Sequence, residues 1–268
     1  MLSFEKSEYV LIDKISTGTS TGVISKAWYK DLKGKIILVK GNTNGGFEPY
    51  AEFIASKVLD ILEIDHISYR LEPKEDFSEV KVYGDDVKHV SVCEEYEEIM
   101  QGQVITLWEF LDTITEVKKS DYWQAAIKFI SLDQLKTLLV IDAYFANKDR
   151  HLSNIEVVFK NEKDYKLVRG FDFGASLGAT IPLKKLVDGR GLDKSKPFKE
   201  IHREQVHLIC RYSNYRKRVL VTKESFINTV LKFIEDEVTC IPERRIVEMK
   251  RMLITRMHYL DNLIDWGD

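Results

Sequence analysis

Cysteine is scarce in this chain, and the little there is excludes two architectures. Of 268 residues only Cys93, Cys210 and Cys240 are cysteine; they are odd in number, far apart and never spaced C-x-x-C, so neither a disulfide framework nor a zinc ribbon is expected. The histidines outside the motif discussed below show no metal-ligand spacing, since His202 and His207 lie five apart, which is wrong for one helical face. No apolar run is long enough to span a bilayer. Met1 to Tyr9 alternates charged and apolar residues where a signal peptide would carry an apolar core, so the expected location is cytoplasmic. A basic excess is also missing: 40 Lys and Arg against 43 Asp and Glu give a formal net charge of -3, which argues against direct nucleic-acid binding through the phosphate backbone. The local exception is Arg211 to Arg218, where Tyr212 and Tyr215 are interleaved with Arg216, Lys217 and Arg218; its ordinary reading is a solvated turn or helix end. Internal repeats and low-complexity segments are absent as well.

What remains is ordinary globular material, 44% hydrophobic and 31% charged, enough for one compact domain or two unequal lobes. The first stretch is β-branched and predicts strands over Tyr9 to Lys14, Val23 to Tyr29 and Lys35 to Lys40, arranged as an antiparallel meander. Pro49 then opens an amphipathic helix with Tyr50, Phe53, Ile54, Val58, Ile61 and Leu62 at helical spacing. Short strands are expected near Ile67 to Leu71 and Val87 to Cys93. Beyond Glu94 the pattern turns helical: around Leu107 to Leu111, Tyr122 to Ile130 and Leu132 to Ala146, the last with Ser131 and Gln134 as a capping box. Lys184 to Lys199 is the expected flexible loop, and two helices, Lys223 to Val238 and Pro242 to Ile264, close the chain. The expected fold class is α+β: two lobes, a small β-rich N-terminal one and a larger helical C-terminal one.

The strongest chemical signal is Asn147-Lys148-Asp149-Arg150-His151-Leu152-Ser153-Asn154, set between a long apolar helix and the strand-like Ile155 to Phe159. Phosphoryl transfer from ATP needs a carboxylate to orient or deprotonate the acceptor hydroxyl and an amide oxygen nearby to hold magnesium. Asp149 and Asn154 stand five positions apart, as the corresponding residues do in the catalytic loop of protein kinases. Further on, Asp172 opens a D-F-G triplet with Phe173 and Gly174, where its carboxylate would meet the ATP phosphates through Mg2+. The same chemistry calls for an upstream strand lysine, a helical glutamate and a loop over the phosphates. Lys40 ends the apolar run Ile36-Ile37-Leu38-Val39, Glu52 lies in the next helix off its apolar stripe, and Thr17-Gly18-Thr19-Ser20-Thr21-Gly22 offers backbone N–H groups and hydroxyls, with Lys26 beyond.

Taken together these residues resemble the HipA-like kinases, a bacterial branch of the protein-kinase and phosphoinositide-kinase fold. The resemblance rests on the N-x-D-R-H-x-x-N loop at Asn147 to Asn154, Asp172, Lys40 in Leu-Val-Lys, and Glu52. It implies serine/threonine phosphorylation with ATP and Mg2+, with Asp149, Asn154 and His151 catalytic and Asn154 and Asp172 as metal ligands. It implies nucleotide contacts from Lys40, Glu52, Gly18, Thr19, Ser20, Thr21, Gly22 and Asp172. Val92-Cys93-Glu94-Glu95-Tyr96 resembles the hinge whose backbone binds adenine, so Glu94 and Tyr96 join that set, and the lobes divide as residues 1–93, a hinge at 94–97 and 98–268. Few residues precede Gly18, which suggests a stand-alone form without the family's extra N-terminal subdomain. Autophosphorylation in the Gly-rich loop and a partner antitoxin or regulatory protein are further implications.

Alternatives stay open on the residues alone. Asp149-Arg150 also suits a surface turn, Asn154 a cap, and Lys40 a solvated strand end. His151 stands where many protein kinases have a lysine, and either contacts phosphate or packs to hold the loop. Asp142, seven positions before Asp149, is expected to anchor loop backbone N–H groups. The same motifs serve kinases of inositol lipids or small alcohols, and a nucleotide-binding pseudokinase is the non-catalytic alternative.

Overall fold

A computed structural model of the protein describes residues 9–12, 25–43, 46–95, 103–114, 117–118, 121–161 and 164–267. Its N-terminal sheet contains β1 (Val10–Ile12), β2 (Lys26–Lys30), β3 (Ile36–Lys40), β4 (Arg70–Pro73) and β5 (His89–Glu94), in the order β1-β2-β3-β5-β4 with every pairing antiparallel. The hairpin β2–β3 turns at Gly34, whose φ of +82° suits glycine, and the Asp31 carboxylate accepts from the N–H groups of Lys33 and Lys35 inside that turn. Alternate residues then point inward: Ile37 and Val39 on β3 join Tyr29, Val90, Val92, Phe77 and Val80 in one apolar cluster. The register sets Lys26 opposite Lys40 at the far end of the hairpin.

Helix α1 (Glu48–Ile61) carries its proline in the first turn, as expected, where no N–H is needed. It is buried on nearly every side because it lies between the sheet and helices from the end of the chain, so its polar Glu52 is buried along with Tyr50, Ile54 and Val58.

The C-terminal part is mainly helical: α2 (Leu107–Ile114), α3 (Tyr122–Phe129), α4 (Leu132–Phe145), α5 (Leu183–Val187), α6 (His202–Cys210), α7 (Lys223–Glu237), α8 (Glu243–Thr255) and α9 (Met257–Leu260). A second sheet, β6 (Gln103–Thr106), β7 (Glu156–Asn161) and β8 (Asp164–Leu167), runs in the order β6-β7-β8, and β9 (Lys217–Arg218) pairs in parallel with β10 (Ile264–Asp265). Helix α4 is the axis of this half, with Leu135, Leu138, Leu139, Val140, Ile141, Ala143, Tyr144 and Phe145 all buried. It stops at Ala146, whose left-handed backbone (φ 54°) turns the chain directly into Asn147. The α+β class with a sheet-rich N-terminal region and a helical C-terminal region is as the sequence predicts.

Several elements differ from expectation. The last helix is not continuous from Pro242 to Ile264: it breaks at Arg256, whose guanidinium Nε reaches into the interior to donate to the Ala143 carbonyl at 2.7 Å. The apolar stripe continues across the break, so periodicity alone hides it. The stretch Lys184 to Lys199 is not an open loop but contains α5 and buries Leu186, Leu192 and Ser195. Helix α6 and strand β6 carry too few apolar residues to announce themselves. Ser131 accepts from Gln134 N–H, but the Gln134 side chain turns away to accept from Leu167 N–H, so the capping box is half formed. Among the described residues no helix is long and apolar enough to cross a membrane.

Candidate active site

Three residues far apart in sequence meet at one ammonium. Lys40 Nζ lies 2.9 Å from Glu52 Oε1, 3.1 Å from Asp172 Oδ1 and 3.2 Å from the Tyr69 hydroxyl, so each of its three protons has an acceptor. The strand end supplies the lysine, the buried face of α1 the glutamate, and the loop after β8 the aspartate. Burial works against the charge on Lys40, but Asp172 and Glu52 outweigh it and hold its pKa well above the ordinary lysine value. Burial likewise pushes against ionised Asp172, and there Lys40 and Arg150 prevail, holding the carboxyl below the usual carboxylate range. Burial raises the pKa of Glu52, with Lys40 opposing.

The D-F-G segment is fixed from both sides. The second Glu52 oxygen accepts from Phe173 N–H at 2.8 Å, and Phe173 itself is buried against Phe145. Asp172 has a φ of +58°, a conformation aspartate tolerates better than most side chains. Gly174 runs so close beneath α1 that a Cβ there would meet Glu48 Cβ at 3.3 Å.

The loop after α4 is organised from below by a buried ion pair. Arg150, 1% exposed, donates through Nε and Nη2 to the two oxygens of fully buried Asp142 at 2.9 and 3.1 Å. Its Nη1 donates to the carbonyls of Asn154 and Phe171, which ties the Asn147 to Asn154 loop to the D-F-G segment. Asn147 Nδ2 donates to Asp142 Oδ1, and Asn147 Oδ1 accepts from Asp149 N–H. The expectation that Asp142 anchors backbone N–H groups is therefore corrected: its carboxylate holds side chains, Arg150 and Asn147, because the arginine occupies the ground beneath the loop. Arg150 is a core residue, not part of a surface turn. Asp149 is left at the rim, half exposed, with the Lys196 ammonium 3.0 Å from Oδ1. Asn154 Nδ2 donates to the Asp149 carbonyl, and its amide oxygen, which has no donor among the described residues, is of the kind that can take a cation.

Lys40, Glu52, Asp172, Asp149 and Asn154 are thus gathered at one end of the sheet and α4. His151 sits in the same loop, partly buried, with no hydrogen bond from its ring among the described residues. Glu94 is different: it stands at the end of β5, exposed, and its carboxylate pairs with Lys35 at 2.7 Å. Gly18, Thr19, Ser20, Thr21, Gly22 and Tyr96 lie outside the described residues. Tyr69 and Lys196 also touch these residues and were not singled out by sequence, whereas Asn147 and Arg150 stood in the N-x-D-R-H-x-x-N string without a role assigned to them. The cluster of Glu52, Asp142 and Asp172 against Lys40 and Arg150 leaves one carboxylate in excess, and Asp172 with Asn154 gives an acidic oxygen and an amide oxygen of the kind magnesium takes. Among the described residues no group of three or more His, Cys, Asp or Glu is placed to hold a metal ion.

The solved structure of the Helicobacter pylori proinflammatory kinase CtkA matches with a TM-score of 0.65 at 16% identity, over 94% of this chain and 94% of that one. The fold is protein-kinase-like. Looser likenesses are to the Golgi casein kinase (TM-score 0.47, 13% identity, 95% of this chain and 72% of that one) and to HipA of Shewanella oneidensis MR-1 with HipB and operator DNA (0.43, 12%, 94% and 67%). No protein-family model and no curated protein matches the sequence.

Proposed function

We propose that the chain is a HipA-like serine/threonine protein kinase that transfers the γ-phosphate of Mg-ATP to a protein hydroxyl. The observation that carries this reading is the Lys40 ammonium shared by Glu52 and Asp172 beside a loop bearing Asp149 and Asn154. A fixed cation, an ionised carboxylate and a half-exposed base side by side are what phosphoryl transfer needs, since its catalysis is chiefly positioning and electrostatics. In this scheme Lys40 binds the ATP phosphates, Glu52 holds Lys40, and Asp149 takes the proton of the acceptor hydroxyl. Asp172 and Asn154 would hold magnesium, which when bound neutralises phosphate charge. His151 packs the loop or contacts phosphate, and Gly18 to Gly22 would cover the nucleotide, with autophosphorylation there as a consequence for regulation.

The lobes are taken to divide at a hinge of residues 94–97, between 1–93 and 98–268, with Glu94 and Tyr96 at the adenine. Mg-ATP as donor makes the cytoplasm the expected compartment, and the motif resemblance makes an antitoxin or regulatory protein the expected partner. The test is intact-mass analysis after phosphatase treatment and then Mg-ATP, alongside Asp149→Ala. Phosphate increments in the wild type that vanish in the variant support the kinase. Transfer to inositol-lipid vesicles but not to protein would favour a lipid kinase, and nucleotide binding without transfer a pseudokinase.

A further inference from the structure

Lys196 has a half-exposed side chain on a firmly held backbone. The loop around it is closed by a bridge between Lys194 and Ile201 and by Ser195 N–H donating to the Glu200 carbonyl at 2.8 Å. Gln205 of α6, only 1% exposed, commits its whole amide to the same turn. Its Nε2 donates to Ser195 Oγ at 2.8 Å and to the Lys196 carbonyl at 2.7 Å, and its Oε1 accepts from the N–H groups of Phe198 and Lys199. Phe198 is held in turn against the Trp123 ring, with centroids 4.9 Å apart.

The group so positioned is one ammonium, 3.0 Å from Asp149 Oδ1, and it is the only partner of that carboxylate among the described residues. With both side chains 50% exposed, the pair contributes little to stability, so folding does not explain the care with which the backbone is held. Other cations near the site are placed elsewhere: Lys40 is held by Glu52, Asp172 and Tyr69, Arg150 by Asp142 and two carbonyls, and Lys26 lies in the field of Lys40 and Asp172. Lys148 and Lys194 lie in the same field, but neither touches the Asp149 carboxylate. A fixed anchor with a four-carbon stem lets the charge move a few ångströms without moving the loop.

We propose that Lys196 is a catalytic residue, which leaves Asp149 as the acceptor hydroxyl arrives and contacts the oxygens of the transferring phosphoryl group. This deepens the kinase reading and rests on it. In the step, the acceptor oxygen bonds to the γ-phosphorus and the bond from that phosphorus to the β,γ-bridging oxygen breaks. ADP departs with the bonding pair, and the acceptor proton passes to Asp149. Lys196 keeps its proton throughout and offsets negative charge on the acceptor side, where no other cation among the described residues touches the reacting carboxylate.

Full-length wild type, Lys196→Met, Lys196→Arg and Asp149→Ala are compared for transfer from Mg-ATP to the chain itself and to dephosphorylated casein. The expected result is a kcat about a hundredfold lower in Lys196→Met, the scale for losing one preorganised charge partner, with KM for ATP and the thermal midpoint unchanged. Lys196→Arg should recover most of the loss. An unchanged kcat in an active background overturns this proposal alone, and a raised kcat does the same by making the ion pair a brake. A loss that follows a lowered midpoint and is not recovered by arginine also overturns it. Wild type that transfers no phosphate to either acceptor overturns the kinase reading and this one with it.

Discussion

At Lys40 a full positive charge is kept where burial alone would remove it. The charge survives because two carboxylates and a phenol surround it, and the same arrangement makes the carboxylates depend on the lysine. Lys40→Met should therefore leave Glu52 and Asp172 facing each other without a counter-charge and cost about 3–5 kcal/mol, the usual scale for breaking a buried pair from one side. Adding Glu52→Gln should restore part of that loss, because one of the two unbalanced charges goes. Denaturant unfolding of the single and double variants checks this, and equal midpoints for Lys40→Met and wild type would mean the cluster is wetter than its burial implies. At this scale the sequence offered candidates where chemistry dictates residue type: Asp149, Asn154, Asp172, Lys40 and Glu52 were each named from motif and order, and the structure puts Lys40 in contact with Glu52 and Asp172 while Arg150 ties the loop of Asp149 and Asn154 to the D-F-G segment. It named Asp142 and Arg150 but not their pairing, since nothing local distinguishes a buried arginine from a solvated one. That difference is made by Asp142 on α4, the Asn154 carbonyl and the Phe171 to Phe173 segment closing over it.

Elements were legible where they bury one face and illegible where their course is set by a neighbour. Helix α4 and strand β3 have unmistakable apolar patterns, and both deliver a site residue at their ends. The break at Arg256 comes from a side chain seeking a carbonyl on α4, a tertiary event that leaves the apolar stripe intact. Helix ends are more local. Thr222 caps α7, its hydroxyl accepting from Ser225 N–H at 3.1 Å, and α7 in turn packs on α1, which holds Glu52. Thr222→Ala should lower stability by about 1 kcal/mol, with Thr222→Ser close to wild type. Thermal unfolding reads the stability, and nucleotide affinity should stay unchanged because the cap is far in sequence and contact from Lys40. A Thr222→Ala midpoint equal to that of wild type would show that the N–H is satisfied by water instead.

For the molecule as a whole, acid sensitivity should begin well above the carboxylate range, and the reason is His202. It is completely buried at the start of α6, neither ring nitrogen has a hydrogen-bond partner among the described residues, and the Arg256 guanidinium is nearby. Burial, helped by Arg256, pushes its pKa down from 6.5 to about 3. The folded protein thus refuses a proton that the unfolded chain accepts below pH 6.5. A depressed folded pKa contributes stability that is complete above 6.5 and is lost as pH falls from there towards about 3. With about 1.4 kcal/mol for each unit of pH in that window, the loss by pH 5 amounts to about 2 kcal/mol. Glu52, raised by burial, works in the opposite direction at lower pH, so the contribution of His202 is isolated only by difference. His202→Gln, which cannot ionise, should be less stable than wild type at pH 7.5 but lose less between pH 7 and pH 5. Urea unfolding across that range tests it: curves for wild type and variant that converge as the pH falls are the expected outcome. Parallel curves would mean that His202 takes up its proton in the folded state, with water or a rearranged Asp193 reaching the ring.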